Sequence, residues 1–219
     1  MTLSYAPKYV SCLVKNIFIC LAAPLLVSVI CVRSRGRISL LFVLGGMTVC
    51  LLSSYISTFL ASVFGIDFVS ASITLTPVVE ETMKMLPLLF YLLVFEPDRE
   101  YIPGSVIMTA AGFATFENVC YLIQNGTSQF FSLLIRGFGT GAMHIVCGVI
   151  IFSGLMSLWD KRRLRAAGTA GLLAAVVTYH GIYNMLVLQT GIIAYIGYII
   201  PLISAVISIL SRRSFESIK

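Results

Sequence analysis

Two uncharged stretches decide what this chain can fold into. No Asp, Glu, Lys or Arg occurs from Ile38 to Ile66, and none from Ala166 to Ser211. A helix crosses the hydrocarbon core of a bilayer with about 20 apolar residues. Both stretches exceed that, and the second is long enough for two crossings. The composition agrees: 58% of residues are hydrophobic, 11% are charged, and the mean hydropathy is +0.98. Such values describe a polytopic membrane protein and exclude an ordinary soluble domain. The expected fold is all-α, a transmembrane helix bundle forming a single integral-membrane domain over residues 1–219. The net charge of +6 lies mostly in short loops and the tail, so it speaks for topology and not for nucleic acid.

Taken in order, Tyr9–Val32 reads as a retained first span, because Arg33, Arg35 and Arg37 follow it at once with no cleavage site there. Ile38–Ile66 is the second span. Gly65-Ile66-Asp67 is a tight connection to a third, Val69–Phe95, in which Pro77 and Pro87 bracket a charged turn and can free carbonyls there. Residues 96–104 form a polar loop, and Ser105–Gln124 is the fourth span. Asn125-Gly126-Thr127 reads as a turn. The run Thr127–Trp159 is long for one span, so its first part reads as a separate or re-entrant segment, with span five at about residues 137–159. Gln189-Thr190-Gly191 divides the last run into spans six and seven. The six cysteines lie in or near apolar runs without a CxxC pair and read as inert buried thiols.

Three basic clusters orient the bundle: Arg33–Arg37, Lys161–Arg165 and Arg212–Arg213. Four spans and then two separate them, so about seven spans place all three on one side, the cytoplasm by the positive-inside rule. The N terminus is then outside and the C terminus inside.

Against this apolar background the charges inside the spans demand an account. Glu80, Glu81 and Lys84 fall within five positions of the third span, Glu117 lies in the fourth, and both histidines of the chain, His144 and His180, lie in the fifth and sixth. An ionisable group at mid-membrane costs about 2.5–3.5 kcal/mol on insertion scales, so function is the default reading. Lys84 is one turn from both Glu80 and Glu81, at about 40° and 60° around the helix. It can neutralise one of them and leaves the other as a base or metal ligand. Counted from the outer ends, Glu117, His144 and His180 lie about seven or eight residues deep, roughly 11 Å; Glu80 is somewhat deeper on a longer span. All four can meet in one layer. Two His and one Glu make a catalytic zinc set with an open position, and a further Glu can take a water's proton. Asn184, one turn after His180, can orient it or bond a developing oxyanion. Asn118, beside Glu117, can do similar work or tie two helices together.

Glu80-Glu81-x-x-Lys84, Gly112-Phe113-x-x-Phe116-Glu117-Asn118, Arg136 upstream of His144, and His180-x-x-x-Asn184 together resemble the PrsW family of intramembrane peptidases. More distantly they resemble the CAAX prenyl proteases. There the pattern has Arg one position after Lys84 and His where Glu117-Asn118 falls, which favours the PrsW branch. The resemblance implies a helical membrane peptidase, glutamic or metal-dependent, of the bacterial cell membrane. It implies a membrane-anchored protein substrate, typically an anti-sigma factor in stress signalling. It also implies Glu80 as base, with Glu81 and Lys84 supporting and Asn118 and Asn184 assisting. The ligands of zinc or a similar divalent cation would be Glu117, His144 and His180. Two other classes compete: a proton- or ion-coupled transporter, against which no inverted repeat is found, and a non-catalytic membrane scaffold, against which the full set of ionisable residues stands.

Overall fold

The computed structural model describes residues 35–96, 101–125, 130–158 and 161–216. The expected first span, Tyr9–Val32, lies outside them. The described residues form six helices: α1 (Arg35–Phe64), α2 (Phe68–Phe95), α3 (Ile102–Asn125), α4 (Phe130–Leu158), α5 (Arg162–Val187) and α6 (Ile192–Glu216). Four of them contain segments long and apolar enough to cross a membrane: Gly36–Phe64, Ile102–Gln124, Phe131–Leu158 and Ala166–Val187. Helix α2 is long enough at 28 residues, but its charged turn interrupts its apolar character. In α6 the apolar segment Ile192–Ser208 is shorter.

The turns follow from local chemistry. Gly65 takes φ +64° after α1, where a side chain would be strained. Asp67 then caps α2: its Oδ1 accepts from the N–H groups of Val69 and Ser70 at 3.0 and 3.1 Å. Hydrogen bonds from the Ser70 side chain and backbone hold this exposed carboxyl below its ordinary range. Gly191, at φ +68°, turns α5 into α6, at the division expected from Gln189-Thr190-Gly191. Pro103 sits in the first turn of α3, where a missing N–H costs nothing.

One expectation is corrected. The stretch after Thr127 is not broken into a re-entrant piece and a span beginning near Gly137. Phe130–Leu158 is one continuous helix of 29 residues. Its glycines do not interrupt it, because they serve as packing surface: Gly139 meets Tyr198 of α6, and Gly148 meets Val106 of α3.

Helix α1 packs along α3, α4 touches α3, α5 and α6, and α2 lies against α1 and α5. The α1–α3 approach is close enough that a methyl group on Gly46 would strike the Thr109 carbonyl, and one on Gly112 the Val43 carbonyl. Pro77 removes the N–H that would bond the Ile73 carbonyl one turn back, and α5 presents Gly181 to that same carbonyl. The burial pattern is that of a protein in lipid. Phe59, Phe68, Phe131 and Ile192 are well exposed, while Glu81, Lys84, His144 and His180 are buried.

Candidate active site

Helix α2 delivers Glu80, Glu81 and Lys84 to the middle of the bundle. Lys84 Nζ lies 2.6 Å from Glu81 Oε1, so the ammonium pairs with Glu81 and leaves Glu80 without it. Simple helical angles placed Lys84 nearer Glu80. The choice is made by the neighbours: Glu81 Oε1 also accepts from His180 Nδ1 of α5 at 2.7 Å, and Lys84 Nζ also lies 2.8 Å from His144 Nδ1 of α4. One oxygen and one ammonium thus bind α2, α4 and α5 together.

Hydrogen-bond logic assigns the ring protons. An ammonium only donates, so His144 Nδ1 accepts from Lys84 and the proton of that ring is on Nε2. That N–H donates to Glu117 Oε2 of α3 at 2.6 Å. A carboxylate only accepts, so His180 carries its proton on Nδ1, toward Glu81. In this neutral tautomer His180 Nε2 is a bare lone pair, and it faces Glu80 Oε2 at 3.7 Å. Two acceptors so placed are joined by a shared proton or by a bound cation.

The donor set fits a divalent ion. One ligand atom each from Glu80, His144 and His180 lies within 4.8 Å of the others; metal–ligand bonds of about 2.0–2.2 Å set tetrahedral ligand atoms about 3.4 Å apart, so binding draws these side chains slightly inward. The imidazole of His180 is backed by the Glu81 carboxylate, the arrangement that fixes a ligating histidine. Both ring nitrogens of His144 are already engaged, Nδ1 by Lys84 and Nε2 by Glu117, so it joins as a third donor by giving up one of these bonds. The carboxylate gathered with the two histidines is thus that of Glu80, whereas the ligand set implied by the resemblance was Glu117, His144 and His180. Glu117 instead bonds His144 and takes Arg136 Nη2 on its other oxygen at 3.4 Å. Its side chain is 30% exposed, against 12% for Glu80 and 1% for Glu81, so it is the carboxylate most open to an incoming group.

The two asparagines act between helices. Asn184 Nδ2 donates to the Ser72 carbonyl of α2 at 2.8 Å and does not bond His180. Asn118 Nδ2 reaches the Gly137 carbonyl of α4 at 3.5 Å. Sequence reasoning quoted Phe113 in a motif without giving it a role, and it missed the Thr140–Tyr183 pair. Phe113 lies against the His144 ring at 4.8 Å between centroids and under Lys84 at 4.8 Å. Thr140 and Tyr183 share a buried hydrogen bond of 2.7 Å. Their signal was helical spacing: Thr140 is one turn before His144, and Tyr183 almost one turn after His180.

A family model described as PrsW family intramembrane metalloprotease matches residues 34–210. No curated protein and no solved structure matches the chain.

Proposed function

Because the chain belongs to the PrsW family of intramembrane metalloproteases, and is therefore an integral-membrane protease, we propose that it hydrolyses a peptide bond of a membrane-anchored regulatory protein of the anti-sigma-factor kind, in a bacterial cell membrane. The observation that carries the assignment of the site is the bare Nε2 of His180 facing Glu80 Oε2 at 3.7 Å. Glu80, His144 and His180 hold zinc or a similar divalent ion. When bound, such an ion supplies Lewis-acid polarisation and lowers the pKa of water to about 7.

The chain's own residues do the rest. Glu81 orients His180 and fixes the tautomer with the proton on Nδ1. Lys84 neutralises Glu81 and fixes the His144 ring through Nδ1. Glu117 is the proton carrier: it accepts a proton from the attacking water and returns it to the leaving amide nitrogen. Its 2.6 Å contact with His144 Nε2 orients the carboxylate, and at rest Arg136 holds its second oxygen. Glu80 and Glu117 thereby exchange the roles expected of them from the resemblance. Asn184 and Asn118 position α2 against α5 and α3 against α4. The topology belongs to the same proposal: seven spans, with the basic clusters and the C terminus in the cytoplasm.

The test is elemental analysis of purified protein together with cleavage of a single-span reporter before and after chelation. About one divalent ion per chain, with activity lost on chelation and restored by the metal, is the expected result. Active protein free of metal would overturn the metal assignment.

A further inference from the structure

A cavity of about 210 Å³ opens between the end of α3 and the starts of α4 and α6. That is far more than the ~10–15 Å³ that one water needs, and enough for a side chain. Tyr121, Arg136, Tyr195 and Tyr198 are among its walls, and no Asp or Glu is among the described residues that line it. Among the described residues lining it, the one charge is the guanidinium of Arg136, whose side chain is 13% exposed. It stacks on the Tyr121 ring at 3.6 Å. Its one carboxylate partner among the described residues is Glu117, at 3.4 Å, and Glu117 is shared with His144 at 2.6 Å. Arg136 Nε is buried without a partner. A guanidinium always carries its charge and matches a carboxylate with parallel N–H groups. On the wall of a cavity, with its carboxylate partner at 3.4 Å and its Nε unpartnered, it can take a second carboxylate there.

We propose that this cavity is a substrate pocket that takes an acidic side chain of the membrane-anchored substrate, with Arg136 as its recognising residue. The proposal rests on the peptidase reading given above, because Arg136 joins the pocket to the reaction centre: the same side chain lines the cavity and bonds Glu117. A carboxylate on Arg136 competes with Glu117 for the guanidinium. Occupancy of the pocket then frees one oxygen of Glu117 for its proton-carrying role only when a substrate with the right residue is present.

The full chain, metal-loaded and in phosphatidylcholine vesicles, carries a photoreactive p-benzoylphenylalanine in place of Tyr195. The probes are Ala/Leu peptides of about 20 residues with one Glu, or one Gln, a few residues from the end on the side where α6 begins. The Glu peptide is expected to crosslink at least about tenfold more than the Gln peptide. Arg136→Gln should remove that preference, and Ala194→Leu, which narrows the cavity and leaves the guanidinium in place, should lower capture of the Glu peptide. Equal capture of both peptides, or a preference that survives Arg136→Gln, would overturn the pocket. So would a preference lost when phosphatidylglycerol is added, because the site would then take an anionic lipid headgroup. Metal content and reporter cleavage in the same sample keep the two readings apart. Cleavage without a Glu preference sinks the pocket alone, and a Glu preference in active protein that holds no metal sinks the metal assignment alone.

Discussion

Among single residues, Glu80 and Glu117 separate most clearly. If Glu80 is a ligand and Glu117 the proton carrier, Glu80→Gln should lose both metal and cleavage. Glu117→Gln should keep the metal and lose about 10²–10⁴-fold in rate, the usual cost of removing a general base. The assignment implied by the family resemblance predicts the reverse, so metal content of the two purified variants decides between them. Lys84 is a different case. Its ammonium bonds Glu81 Oε1 at 2.6 Å and His144 Nδ1 at 2.8 Å, and it is buried. Lys84→Met leaves Glu81 uncompensated, at about 3–5 kcal/mol, and should appear as poor expression and a lowered midpoint in thermal unfolding. A variant that expresses and melts normally would show that the pair contributes little to stability. The sequence made these groups visible because charges stand out against an apolar background. It did not reveal which Glu takes Lys84, since that depends on His180 and His144, which arrive on α5 and α4 from positions remote in the chain.

Elements meet at glycines, and there the packing can be tested. A Cβ on Gly181 would lie 2.8 Å from the Ile73 carbonyl, which is backbone and cannot swing aside. Gly181→Ala should push α5 from α2, move the adjacent His180, and lower activity and metal occupancy together; unchanged metal content would mean that α5 tolerates the shift. Gly46→Ala and Gly112→Ala attack the α1–α3 contact, which lies outside the reacting groups. They should lower stability by about 1–3 kcal/mol, as overpacking does, with the metal-to-protein ratio of the folded fraction unchanged. Helix boundaries were legible wherever an uncharged run ended in a turn signal, as at Gly65-Ile66-Asp67 and Gln189-Thr190-Gly191. They failed at residues 130–137, because glycines that loosen an isolated helix are also what lets α4 lie close to α6 at Gly139. Sequence alone does not say which of the two a glycine is for.

For the whole molecule, the proposed topology has the helices alternate in direction and brings the start of α1, the α4–α5 junction and the end of α6, each near a basic cluster, to one face. A reporter fused after Lys219 should be active only in the cytoplasm; activity only on the outer side would sink the proposed orientation. The site also has a bearing on biogenesis. Its polar groups already satisfy one another: Arg136 with Glu117, Glu117 with His144, His144 with Lys84, and Lys84 and His180 with Glu81. Among the described groups of the site, the Glu80–His180 facing pair and the unpartnered Arg136 Nε await something from outside. The helices can therefore assemble before any ion arrives, unlike a zinc finger, in which metal binding and folding are a single event. On the metal site proposed above, maturation would be the last step in the protein's life history, taken after insertion, and a cell short of metal would accumulate a folded, inactive reserve that can be switched on without new synthesis.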